Sequence, residues 1–144
     1  MARPLDLLLS PEEQERVVDA IRRAERRTSG QIKVHVEARC SGDALARATR
    51  LFPRLGLTRT RARNGVLLYV AARDRKFAIV GDRGIHGAAR PEFFHRAATV
   101  LREWFARGRI ADGLIAGVEL IGEKLAEHYP PYPGAENELS DELV

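Results

Sequence analysis

The sequence predicts an α/β protein, a three-layer α/β/α sandwich with a central mixed β-sheet of about four strands. Three observations carry this expectation. After Thr28-Ser29-Gly30 the apolar spacing changes from a helical period to strict alternation. The run VLLYVAA at 66–72 is apolar almost throughout and so reads as a strand covered on both faces. A short charged link, Arg73-Asp74-Arg75-Lys76, joins it to the apolar stretch 77–80, and strands joined so closely pair as an antiparallel hairpin. The order helix, strand, helix, strand, strand, helix, helix then sets a sheet between two helical layers.

The first long helix begins at Ser10-Pro11-Glu12-Glu13. This stretch offers a capping hydroxyl, a proline at the first helical position and a glutamate three residues after the cap. Val17, Ile21 and Ala24 form its apolar face, and Thr28-Ser29-Gly30 supplies a left-handed stop. In QIKVHVEAR, 31–39, Ile32, Val34, Val36 and Ala38 alternate with Gln31, Lys33, His35 and Glu37, the pattern of a strand with one buried face. His35 falls on the polar side, where a surface or helix-covered imidazole is the simpler reading than a ligand.

Ser41-Gly42-Asp43 turns the chain into a second helix with Leu45, Ala48, Phe52 and Leu55 on one face, ending near Gly56. Pro53 lacks an N–H and crowds the preceding turn, so this helix is expected to kink in its last turn or to stop before Phe52. Asn64-Gly65 closes a basic loop. After the hairpin comes the glycine-spaced segment GDRGIHG, 81–87, expected to be a loop. Pro91 opens a helix with Phe94, Ala97, Leu101, Trp104 and Phe105 at helical spacing, ended by Gly108. A last helix starts near Asp112, with Gly113, Gly117 and Gly122 placed to allow close approach.

At 144 residues the chain is the size of one domain, long enough to bury roughly 68–70% of its unfolded surface. The expected organisation is an N-terminal extension at 1–9, a single domain at 10–129, and a proline-rich, then acidic tail at 130–144. No stretch approaches the ~20 apolar residues of a spanning helix, and MARPLDLLLS is too short and too interrupted for a secretory signal. A cytoplasmic protein is expected. Cys40 is the single cysteine, so an internal disulfide is excluded and no zinc spacing exists.

The chemistry of the chain centres on GDRGIHG. Glycines after a strand can expose N–H groups to an anion, with Gly81, Arg83 and Gly84 as the candidate cradle. The spacing matches no phosphate-loop motif, so glycine-permitted turning explains it as well. Asp82 stands just past a strand end, where a carboxylate at the sheet's rim can bind a hard cation once other oxygens converge. Asp6, Asp74, Glu138 and Asp141 are the acids available to join it. His86 and His95 lack metal-ligand spacing, and no GxSxG elbow supplies a nucleophile. Arg50, Arg54, Arg59, Arg61 and Arg63 raise a nucleic-acid reading, opposed by a net charge of only +4 and few aromatics.

Taken together, LLSPEEQ, AERRTSGQIKVHVE, RNGVLLYVAARDRKFAIVGDRGIH and the terminal NELSDEL resemble the TPM domain family over about residues 8–143. The resemblance implies an α/β/α sandwich and a divalent cation, Ca²⁺ or Mg²⁺, held by loops along one rim. It also implies an acid phosphatase activity, as reported for some plant members. Asp82 matches the family's acidic position after the strand, and the tail acids Glu138 and Asp141 are the expected co-ligands. Relatives with short chains tend to read NELPDEI, where this one carries Ser140 in place of the proline.

The expected function is that of a TPM-domain module binding a divalent cation at the loop rim, an accessory or binding domain without robust catalysis. A metal-dependent acid phosphatase acting on phosphate monoesters is the alternative, and a nucleic-acid module the second. Another protein is the expected class of partner, with nucleic acid disfavoured, no membrane association and a monomeric state.

Overall fold

A computed structural model describes residues 4–132 and 143–144, the Pro4 and Ala88 side chains excepted. Among the described residues, six helices and a three-stranded mixed sheet make an α/β fold. In chain order these are α1 (Pro4–Leu8), α2 (Pro11–Glu25), β1 (Gln31–Glu37), α3 (Ala44–Arg54), β2 (Gly65–Ala71), β3 (Lys76–Gly81), α4 (Arg83–Ala88), α5 (Pro91–Ala106) and α6 (Ile110–His128). A short 3₁₀ turn, Leu57–Arg59, follows α3.

The strand order is β1-β2-β3. β1 and β2 run parallel, Gln31 beside Gly65 and Glu37 beside Ala71. β2 and β3 run antiparallel, Val66 beside Gly81 and Ala71 beside Lys76. The expected sheet of about four strands is therefore corrected to three. Among the described residues, the outer side of β1 carries a parallel bridge between Val34 and Leu143.

Side-chain alternation splits the core into two layers. Ile32, Val34 and Val36 join Val66, Leu68 and Val70 beneath α2, α5 and α6. On the other face Leu67, Tyr69, Ala71 and Ala78 pack against Ala48, Leu51 and Phe52 of α3. Every residue of β2 is buried, as the unbroken apolar run requires. Full burial of each large apolar side chain contributes roughly 1.5–3 kcal/mol, so this strand anchors both layers.

Ser10 caps α2 as expected: its hydroxyl accepts from Glu13 N at 3.1 Å, while the Glu13 carboxylate accepts from Ser10 N at 2.8 Å. The end of α2 differs from expectation. The helix finishes at Glu25, and the glycines with left-handed backbone are Gly56 (φ 79) and Gly108 (φ 74), not Gly30. Gly30 is closely packed instead: a Cβ there would lie 2.8 Å from the Leu125 Cδ1, which would have to shift. Pro53 neither stops α3 before Phe52 nor ends it early. It sits in the last turn, which closes through Leu55 N to the Leu51 carbonyl at 2.9 Å.

The polar side of β1 is more covered than its alternation suggests. Gln31 and Lys33 are buried, and the Lys33 ammonium donates to the Leu55 carbonyl at 3.1 Å beyond the end of α3. At the N-terminus, Leu5 and Leu9 pack into the main core. No helix among the described residues is long and apolar enough to cross a membrane.

Candidate functional site

The segment 81–87, expected as a loop, is the end of β3 followed by the short helix α4. Asp82 is its N-cap, with Oδ1 accepting from Arg83 N at 2.8 Å. The basic turn before β2 comes back over this point. Arg63 donates from Nε to Asp82 Oδ2 at 2.6 Å and from Nη2 to Oδ1 at 2.9 Å. Asp82 is only 7% exposed. Burial alone would raise its pKa, but the Arg63 bridge and the Arg83 N–H outweigh it and hold the carboxyl below its ordinary value.

Gly81, Arg83 and Gly84 are expected to offer N–H groups to an anion, yet the donors of residues 82–85 are spent inside the fold. Asp82 N bonds the Gly65 carbonyl at 2.9 Å, Arg83 N bonds Asp82 Oδ1, Gly84 N bonds the Arg63 carbonyl at 2.9 Å, and Ile85 N bonds the Asp82 carbonyl at 2.9 Å. The glycines answer a packing demand. A Cβ on Gly84 would stand 2.6 Å from the carbonyl oxygens of Ala62 and Arg63, and one on Gly81 would meet Ile85 at 2.7 Å. Tyr129 completes the brace by donating its hydroxyl to the Gly84 carbonyl at 2.6 Å.

The other acids do not gather here among the described residues. Asp74 lies in the turn before β3, at the far end of the strand from Asp82, on the order of 20 Å away for six extended residues. There it bonds Arg39 at 2.9 Å and Cys40 N at 2.7 Å. Asp6 accepts from Gln14 Nε2 at 3.0 Å. Glu138 and Asp141 lie outside the described residues. Among the described residues, no group of three His, Cys, Asp or Glu is placed to hold a metal ion. His86 and His95 are exposed on α4 and α5, and Cys40 is buried.

A second polar cluster, missed from sequence, sits at the opposite end of the sheet. Glu37 accepts from Arg47 Nη2 at 2.7 Å and Nε at 3.2 Å, from the Tyr69 hydroxyl, and pairs with His35 Nε2 at 3.3 Å. Burial works to raise its pKa, but these partners together hold it down from 4.5 to about 2. Burial and the Glu37 contact push the Tyr69 phenol up, so it stays protonated as a donor. One signal was available: Tyr69 is the lone hydroxyl in an apolar strand, and a buried phenol needs a partner.

Of the basic stretch, Arg63 is committed to Asp82, and Arg61 lies over the Tyr132 ring at 5.8 Å. Arg50, Arg54 and Arg59 are exposed.

Comparison with known proteins adds a family and a fold. The model of the TPM domain matches residues 5–124. The NMR structure of the BA42 protein from the psychrophilic bacterium Bizionia argentinensis is 37% identical, with 94% of each chain covered and a TM-score of 0.87. The N-terminal domain of a P. gingivalis protein is similar at 22% identity and TM-score 0.70, covering 87% of this chain and 83% of that one. The N-terminal domain of the cg2496 protein from Corynebacterium glutamicum is 14% identical with a TM-score of 0.67, covering 86% and 78%. These last two likenesses concern the fold alone. No curated protein matches the chain.

Proposed function

This chain belongs to the TPM domain family, and we propose that it serves as an accessory or binding module rather than as a catalyst. One observation carries the reading: Asp82, the carboxylate that the family resemblance offers as a metal ligand, has both oxygens engaged by Arg63 and one also by the Arg83 N–H. A general base needs a free lone pair and a pKa near the working pH. Asp82 has neither its oxygens free nor its pKa raised.

The same bonds bear on a divalent cation. Ca²⁺ or Mg²⁺ requires several oxygens facing one point. As arranged, Asp82 does not fit such an ion, because the Arg63 guanidinium occupies that place. Cation binding at this rim requires Arg63 to withdraw, with Glu138 and Asp141 as the acids proposed to arrive.

The test is an amide NMR titration with CaCl₂ and MgCl₂, run beside p-nitrophenyl phosphate hydrolysis with and without those ions. The accessory reading expects no turnover distinguishable from that of Asp82→Ala. Metal-stimulated hydrolysis lost in Asp82→Ala would overturn it in favour of the phosphatase. Shifts centred on 81–85 without turnover would identify a cation-binding accessory domain.

A further inference from the structure

The two edges of the sheet are finished differently. On β1, three of the backbone groups facing away from β2 are answered. Ile32 N–H meets the Glu25 carboxylate at 3.1 Å, and Val144 takes the Val36 N–H and reaches the Val34 carbonyl, each at 2.9 Å. On β3 the phase of the ladder follows from Asp82 N bonding the Gly65 carbonyl. Antiparallel alternation then turns Val80, Ala78 and Lys76 toward β2, and Phe77 and Ile79 outward. No described residue meets the outward N–H and C=O groups of Phe77 and Ile79.

That open edge lies along a groove of about 530 Å³ between the start of α3 and the face of α5. Leu45, 55% exposed, stands on one wall and Phe94 on the other. At the Phe77 end the groove carries Arg75 and Arg102, the Arg102 guanidinium lying 5.9 Å from the centre of the Phe77 ring. Lys76 is already used: its ammonium donates to the Cys40 and Gly42 carbonyls at 2.8 and 2.9 Å and fixes the approach to α3.

We propose that this groove receives an extended acidic segment of a partner protein, which adds to β3 as a further strand. The proposal rests on the accessory-module reading and names the chemistry of the partner. Backbone bonds to Phe77 and Ile79 supply affinity in this mode, and side-chain pockets supply selectivity. Successive side chains of a strand face opposite sides, so one alternate set, apolar, meets Leu45 on the α3 wall, and the other set carries carboxylates toward Arg102 on the α5 side with Arg75 beside it, a geometry suited to guanidinium groups. Charge complementarity decides the occupant: a second copy would bring further positive charge to a chain of formal charge +4, whereas an acidic strand neutralises the groove.

The test titrates the full chain with a capped synthetic peptide of alternating valine and glutamate, followed by amide NMR and hydrogen exchange. The expected result is shifts centred on 76–80 and slower exchange of the Phe77 and Ile79 amides. The double reversal Arg75→Glu with Arg102→Glu should weaken that peptide roughly tenfold, about 1.4 kcal/mol, and admit the valine–lysine counterpart. These reversals sit at the surface end of the groove, and an unchanged urea midpoint verifies the fold. The proposal is overturned by shifts confined elsewhere, by equal binding of the lysine peptide to the unaltered chain, or by protection of Phe77 and Ile79 that rises with protein concentration alone. Phosphatase turnover, measured separately, speaks to the accessory reading and leaves the peptide result standing.

Discussion

Arg63 grips both oxygens of Asp82, at 2.6 and 2.9 Å, and does so from a left-handed backbone with φ 52. A non-glycine residue adopts that region only when its surroundings over-determine it. Here the surroundings are the ion pair and the Arg63 carbonyl, which accepts from Gly84 N. The relationship ties the turn before β2 to the start of α4, so Asp82 works as a clamp between two segments apart in sequence.

Removing the clamp should therefore cost stability. Asp82→Ala deletes a helix cap, worth about 1 kcal/mol, together with charged hydrogen bonds worth about 1.5–3 kcal/mol. A loss of about 2–4 kcal/mol in urea unfolding is expected, with Asp82→Asn losing less because its amide oxygen still caps Arg83 N. A loss under 1 kcal/mol for the alanine variant would show that the clamp contributes little.

Acid should act through the same logic. Asp82 and Glu37 both have folded-state pKa values below their ordinary ones, Glu37 about 2 against 4.5. A depressed carboxyl supplies stability that is complete above its unfolded value and lost as the pH falls through its folded value. The urea midpoint should thus decline from about pH 4.5 toward pH 2. Glu37→Gln should flatten that decline, and an unchanged slope would separate the Arg47–Tyr69–His35 cluster from acid sensitivity.

The glycines of 81–87 make a paired prediction. Gly84→Ala puts a methyl against two backbone oxygens at 2.6 Å, which cannot swing aside as a side-chain tip can. Overpacking of this kind costs about 1–3 kcal/mol. Gly87→Ala meets nothing within 4 Å, and the restricted unfolded chain should leave it neutral or more stable by up to about 1 kcal/mol. Equal effects at the two positions would refute the close-approach account. Thermal melts of the two variants measure the difference.

Period and capping made most of the fold legible: Ser10, the unbroken run of β2 and the short 73–76 link each act locally, and the elements they mark formed where those patterns lay, whereas α1 and α4 formed where no helix is expected. What stayed hidden depends on residues meeting across the fold. Asp82 reads in sequence as a free rim carboxylate because Arg63 lies 19 positions earlier, on a turn whose return path no local pattern records. Glu37 and Tyr69 meet through a parallel register that is equally non-local. The glycine segment misled because a glycine needed for close packing and one needed for turning look alike in sequence.

The outer edge of β1 gives the last prediction. Leu143 is buried at 7% exposure against the main core, and Val144 bonds both Val34 and Val36. These two residues cover the outer edge of β1, so their removal should expose edge and core together. Leu143→Ala is expected to lose about 2 kcal/mol or more, the lower range for a buried leucine. The more specific reading is hydrogen exchange. The Val36 amide, whose acceptor is the Val144 carbonyl, should lose protection in Leu143→Ala, while the β2 amides are slowed as before apart from the global change in stability. Uniform loss across the sheet would mean that Leu143 acts only through the core, and an unchanged Val36 amide would mean that the bridge does not protect the edge.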